Sequence, residues 1–132
     1  MKRYFTIFLI FTLMLLACCG CQTNVSKNAD VTLIFIYEDE NIHVTLTDDE
    51  AAKVVEILDG NVYDPMVLFG YPSCGFSENV ALKVGDRSFA IASDTCNCVW
   101  DLGNYLYFDI PKEDMAYIHS LFEKYGGYFP CV

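Results

Sequence analysis

Positive charge is scarce in this sequence. The 132 residues include 8 lysines and arginines against 18 aspartates and glutamates, a net charge of −10. Lys2 and Arg3 lie at the very start, so a chain that loses its first residues keeps 6 basic and 18 acidic side chains, a net −12. Such a chain is repelled by nucleic-acid phosphates and anionic lipid headgroups, which argues against electrostatic binding to either. A basic partner stays open, but solubility is the simpler role for this charge.

Recognisable catalytic motifs are also missing. The chain has two histidines, and both fit structural positions: His43 alternates out of the apolar face of its strand, and His119 flanks the apolar stripe of a helix. No serine or cysteine lies in a nucleophile-elbow sequence. The acidic run at residues 38–40 lacks the ligand spacing of a calcium loop. The sequence therefore favours a protein that is not an enzyme, and it indicates no cofactor and no metal.

The first residues are typical of an export signal. Lys2 and Arg3 precede an apolar run, Tyr4 to Leu16, that is short for a membrane span. The run ends in Leu15-Leu16-Ala17-Cys18, which resembles the lipobox of bacterial lipoproteins. That resemblance implies a signal peptide at residues 1–17, a diacylated Cys18, and a location on the extracytoplasmic face of the cell membrane. An ordinary cleaved secretory peptide is the less favoured alternative.

Residues 18–30 are polar and aperiodic, so we expect a flexible tether followed by one domain at residues 31–132. Cys19 and Cys21 fall in this tether and receive no role. Four cysteines remain in the domain, an even number outside the cytosol, which is typical of a disulfide framework: Cys74, Cys96, Cys98 and Cys131.

The disulfide connectivity stays open. A Cys96–Cys98 bond would close a strained ring, so we favour Cys74 with one of that pair and Cys131 with the other. A redox pair at Cys96 and Cys98 is a weaker alternative, because the C-x-C spacing lies at a strand end beside Asp94 and Asp101, and carboxylates raise a thiol pKa. Zinc held by the four cysteines with His119 is weaker too, since only one tight pair is present.

A β-hairpin connects these cysteines. Val80, Leu82 and Val84 alternate with small or polar residues, and so do Phe89 and Ile91 after a Gly85-Asp86 turn. A two-residue loop pairs Val84 with Arg87, Leu82 with Phe89 and Val80 with Ile91. Extended outward, the same register brings Cys74 near Cys96 and Cys98.

The remaining pattern predicts an α+β fold. The elements run β-β-α-β-β-β-α, giving a five-stranded, mainly antiparallel sheet with two helices on one face. A capping box, Thr47 to Glu50, starts the first helix, and Gly60 ends it. The second helix follows Pro111 and stops at Gly126.

Two stretches bear on binding. Residues 61–73 are apolar but broken by Pro65, Gly70 and Pro72, and either cover the core or form an exposed patch. Aromatic residues follow the hairpin, and one or two of Trp100, Tyr105 and Tyr107 are candidates for an exposed interaction surface. Burial of these rings against the last helix is the competing interpretation.

Three motifs resemble a pattern seen in small exported bacterial lipoproteins: C-G-F-S-E-N-V from Cys74, D-T-C from Asp94, and F-E-K-Y-G-G-Y-F-P-C from Phe122. The resemblance spans most of the domain and brings no activity and no site residue. The sequence therefore predicts a membrane-anchored, non-catalytic binding or interaction domain with a protein or envelope partner. The alternative is a thiol-redox or metal-binding protein that uses Cys96 and Cys98.

Overall fold

The computed structural model describes residues 21–64, 73–126 and 129. Several predictions lie outside those residues: the signal peptide at 1–17, Cys18 and Cys19, most of the 61–73 stretch, and Cys131. The described chain forms an α+β fold in which two helices accompany an open antiparallel sheet of six strands. The elements in chain order are β1 (Val31–Tyr37), β2 (Glu40–Thr45), α1 (Asp48–Leu58), β3 (Ala81–Val84), β4 (Arg87–Ile91), β5 (Cys98–Asp101), β6 (Leu106–Asp109) and α2 (Lys112–Gly126).

The prediction of five strands is wrong by one, because β5 was missed. Within β5, Val99 points to the core face of the sheet together with Asp101, while Cys98 and Trp100 share the other face. A buried carboxylate at a core position hides the apolar alternation by which a strand is recognised. Strand β6 begins at Leu106, directly after Tyr105, which adopts a left-handed turn conformation with φ of 56°.

The predicted hairpin register is confirmed. Val84 pairs with Arg87 and Leu82 with Phe89, while Ile91 N–H donates to the Val80 carbonyl at 3.1 Å. Gly85 has φ of +57°, which an L side chain adopts only with strain. The hairpin lies in the middle of the sheet, whose strand order is β2-β1-β3-β4-β5-β6.

One large core lies between the sheet and the two helices. Each strand contributes alternate residues to it, and both helices add apolar side chains, among them Val54 and Leu58 of α1 and Ile118 and Phe122 of α2. The Glu50 carboxylate accepts bonds from the Thr47 N–H at 3.1 Å and the Thr47 hydroxyl at 2.8 Å, so the predicted reach back to the N-cap is present.

Gly126 packs closely against β1. A Cβ there would lie 3.1 Å from the ring of Phe35, which itself meets Phe122 edge-on with ring centroids 6.2 Å apart. The end of α2 therefore rests directly on β1.

A smaller cluster lies on the opposite face of the sheet. It consists of Ala92, Cys98 and Tyr107, with Cys74, Phe76, Cys96 and Trp100 packed around them. The segments on either side of the β3–β4 hairpin supply most of these side chains. Cys74, Cys96 and Cys98 thus lie across the sheet from the helices.

The residues before β1 differ from the flexible tether that their composition predicts. Thr23 and Val25 are buried, and residues 21–25, which we name the N-terminal strap, pair with residues 59–63 behind α1. The Thr23 hydroxyl donates to the Leu58 carbonyl at 2.6 Å, and Val25 N–H donates to Asp59 Oδ1 at 2.9 Å. Polar residues dock here because their backbone and hydroxyl groups form hydrogen bonds with the backbone groups that have no partner within the helix at its C-terminal end.

Candidate functional site

Thiols and carboxylates converge at one end of the sheet. One ligand atom from each of Cys74, Asp94 and Cys96 lies within 4.8 Å of the other two. The predicted proximity of Cys74 to the C-x-C pair is therefore confirmed, and its cause is the hairpin register, which carries the two flanking segments side by side.

Asp94 holds the two flanking segments in place. Its carboxylate accepts the Cys96 N–H at 2.8 Å and the Gly75 N–H at 3.3 Å. Ser93 adds two bonds to the Gly75 carbonyl, one from its hydroxyl at 2.8 Å and one from its N–H at 2.9 Å. The backbone bond from Cys96 is the main reason why the pKa of Asp94 lies below its ordinary value. Asp94 is therefore a fixed carboxylate beside two thiols.

Cys98 is the third thiol of this region and is buried at the start of β5. Its register partner in β6 is Asp109, which also hydrogen-bonds its side chain. Asp101, which the sequence suggests as a neighbour of these cysteines, lies on the other face of the sheet because it is three residues from Cys98 along a strand.

Two thiols of this region, Cys96 and Cys98, have raised pKa values and resist ionisation. Hydrogen bonding with Cys74, then with Asp94, and burial together raise the pKa of Cys96 to about 12. Burial, followed by the nearby Asp109, raises the pKa of Cys98 still further. Because thiol exchange requires a thiolate, this environment is the reverse of that in thiol oxidoreductases.

No two cysteines among the described residues are at disulfide-bonding distance. Cys74 and Cys96 are half-buried, and their sulfur atoms are two of the three ligand atoms that lie within 4.8 Å of one another. Cys21, also a free thiol, is exposed in the N-terminal strap.

A cleft of about 480 Å³ opens beside the thiols. We name it the thiol cleft, and its walls come from the C-x-C segment, the β5–β6 pair, Cys74 and Asp64. The lining residues are Asp64, Cys74, Thr95, Cys96, Asn97, Cys98, Tyr107, Asp109 and Ile110. Sulfur, carboxylate and amide groups therefore face one space.

The three candidate interaction aromatics do not form one surface. Tyr107 is buried in the wall of the thiol cleft, and Trp100, its register partner on β5, is half-buried with Phe76 at 5.7 Å between ring centroids. Tyr105 is the exposed one, at 65%, and lies in the turn before β6. Two of the three rings thus belong to the cysteine side of the sheet.

The histidines lie outside the thiol cluster. His43 is exposed on β2, at the far end of the sheet from β5 and β6. His119 stacks on Phe129 with ring centroids 3.7 Å apart, and burial lowers its pKa although the Ala92 backbone accepts a hydrogen bond from it. The structural role expected for His119 agrees with these contacts.

Sequence reasoning missed a buried polar centre on the helix face. Asp101 is fully buried and accepts the Tyr63 hydroxyl at 2.5 Å, the Asn104 amide at 2.8 Å and the Arg87 guanidinium. Burial raises the pKa of Asp101, but the bonds from these donors outweigh it and hold the pKa below its ordinary value. Arg87 also donates to the Asn24 carbonyl of the N-terminal strap.

The Asp101 centre is a structural junction. It joins β4, β5, the strap and the segment after α1, and its members face one another instead of the thiol cleft. The sequence carries one signal for it, since an aspartate followed by Gly103 and Asn104 suits a turn in which its carboxylate accepts the next N–H groups.

None of the helices in the described ranges combines the length and apolarity needed to cross a bilayer. Comparison of the chain with protein-family models, curated proteins and solved structures found no match. The chemistry of the thiol cleft is therefore the main basis for a functional conclusion.

Proposed function

We propose that this chain is a lipid-anchored, extracytoplasmic binding protein without catalytic activity, and that the thiol cleft is its binding site. The lipobox-like sequence ending at Cys18 supports the anchor. One observation carries the binding site: Cys74, Asp94 and Cys96 bring two sulfurs and a carboxylate within 4.8 Å beside a cleft of about 480 Å³.

A thiophilic metal ion is the ligand that this donor set favours. Zinc accepts sulfur and carboxylate ligands with Zn–S near 2.3 Å, which corresponds to sulfurs about 3.8 Å apart in a tetrahedral site. The three ligand atoms lie within 4.8 Å of one another, which is compatible with that geometry. The fourth position would open toward the cleft. Metal binding displaces the thiol protons, so the raised pKa of Cys96 makes affinity rise with pH.

The competing role for the same sulfurs is a structural disulfide. Cys74 and Cys96 are near enough for a small rearrangement to join them, which would leave Cys98 for Cys131, as in one of the connectivities favoured by the sequence. An oxidising compartment supports this role. The binding function would then move to another surface.

A zinc titration of the full-length lipoprotein in detergent, reduced and metal-free, tests the metal site. We expect one zinc per chain in the wild type and in Cys21→Ser, whose thiol is exposed and does not line the cleft. We expect binding weakened about 100-fold or more in Cys96→Ser, because a ligand is lost. Equal affinity in Cys96→Ser and the wild type would exclude the site.

Alkylation of protein taken directly from membranes decides between metal and disulfide. If Cys74 and Cys96 are modified only after reduction, and no metal accompanies the protein, they form a bridge and the metal proposal fails. If chelation alone exposes them to alkylation, the metal site is supported.

A further inference from the structure

The N-terminal strap is part of the folded domain. Cys21 accepts the Tyr63 N–H at 3.1 Å, Gln22 forms a β-bridge with Val62, and Thr23 exchanges backbone bonds with Gly60 and Asn61. The hydroxyl of Thr23 and the side chain of Val25 are buried beneath α1. Residues 21–25 are therefore held against the segment that follows α1.

Only residues 19 and 20 lie between this held segment and Cys18. Three extended residues span at most about 11 Å. The inference rests on the lipid anchor put forward under Proposed function: if Cys18 is acylated, its Cα lies at the bilayer interface, and Cys21 follows within that distance. A flexible tether over residues 18–30, as the composition predicts, would have left the domain free to tumble. The link formed by residues 19 and 20 is too short to allow this.

We propose that the domain lies against the lipid surface in one orientation, with the N-terminal corner, formed by Cys21, Gln22 and Val62, facing the bilayer. Val62 is 56% exposed and apolar, as suits contact with the interface. The acidic domain is repelled by anionic headgroups, so the short link, and not electrostatic attraction, holds it there.

The strap also sets which edge of the sheet faces away. Asp64 N–H donates to the Tyr107 carbonyl at 2.8 Å, and the Tyr63 ring meets Phe108 edge-on, so the corner lies at the β6 edge. Five strand spacings separate β6 from β2, about 24 Å in all. The β2 edge therefore projects from the membrane, and the thiol cleft, which Asp64 lines, lies in the membrane-proximal half.

Tryptophan quenching by nitroxide-headgroup lipid tests this orientation. The lipoprotein would be reconstituted into phosphatidylcholine vesicles as Val62→Trp or as Asn41→Trp, each with Trp100→Phe. Both sites are exposed, and they lie at opposite edges of the sheet. We expect quenching at position 62 about threefold or more above that at position 41, because of the sheet-wide separation.

A spacer variant is the matched control. A Gly-Ser insert of about 12 residues after Gly20 has an r.m.s. span of roughly 19 Å and should equalise the two signals. Lipidated protein that shows equal quenching at both sites without the spacer overturns the orientation alone. Protein whose intact mass lacks the diacylglyceryl group overturns the anchor, and the orientation with it.

Discussion

The buried carboxylate of Asp101 gives the sharpest test of how this fold is held together. In Asp101→Asn, the amide oxygen can still accept the Gly103 N–H, which lies 3.1 Å from Oδ1 in the native protein. The new NH₂ group faces three donors, from Tyr63, Arg87 and Asn104, and can accept from none of them. The substitution keeps the shape of the side chain and reverses the polarity of one atom.

The expected loss follows from these contacts. Bonds to a charged group contribute about 1.5–3 kcal/mol each, and breaking a buried ion pair costs about 3–5 kcal/mol. The Arg87 side chain is 27% exposed, so water recovers part of its loss. We therefore expect a decrease of about 3–4 kcal/mol in the free energy of unfolding, a large share of the 5–15 kcal/mol typical of a domain.

Urea denaturation at one fixed redox state measures this loss. With a denaturant slope of about 1.5–2 kcal/mol/M, the midpoint should fall by roughly 2 M. Asp86→Asn makes the same chemical change at an exposed position one residue before Arg87, and should alter stability by less than about 0.5 kcal/mol. If Asp101→Asn matches Asp86→Asn, the carboxylate does not stabilise this junction and the reasoning is refuted.

Three further predictions concern other contacts. Glu50, whose pKa is lowered to about 2 because the bonds from Lys124, Tyr125 and Thr47 outweigh its desolvation, stabilises the fold above pH 4.5, and this contribution is lost as the pH falls toward 2. Glu50→Gln should therefore cost about 1–2 kcal/mol at pH 7, discounted because Lys124 is exposed, and much less at pH 2, as measured by urea unfolding; an equal cost at both pH values would contradict the assignment. Val25→Ala should cost about 1–3 kcal/mol and speed amide exchange at residues 59–63, whereas unchanged exchange would mean that the strap does not hold that segment. Alkylation of Cys96 in the reduced, metal-free protein should accelerate about tenfold per pH unit from pH 8 to 11, and a plateau near pH 9 would contradict its raised pKa.

Local signals predicted the central part of the fold. The hairpin register follows from a Gly-Asp turn and alternation within a dozen residues, so Leu82 opposite Phe89 could be predicted without tertiary information. The capping box at Thr47 is likewise a local arrangement. The convergence of Cys74 on Cys96 was a direct extension of that register.

Features that depend on distant partners were not predictable in this way. Asp101 is stable in the core only because Tyr63 and Arg87 reach it from other segments, so β5 lacked a recognisable apolar pattern. Asp109 is the neighbour of Cys98 because β6 pairs with β5, so this contact could not be predicted without β5. The strap docks through backbone groups, one buried hydroxyl and the single apolar side chain of Val25, and none of these leaves a periodic signal.

The outer strand β2 has a consequence for crowding. Its side chains are exposed or half-buried, and it begins beside Glu38, Asp39 and Glu40, where the first two adopt left-handed turn conformations. Two copies could pair along this edge by placing their β2 strands antiparallel about a twofold axis. Because each domain carries a net negative charge, that pairing would bring further acidic groups together. If the chain is lipid-anchored as proposed, its copies are confined to one plane and meet at high local concentration, and the acidic groups at this edge would oppose their pairing into a continuous sheet.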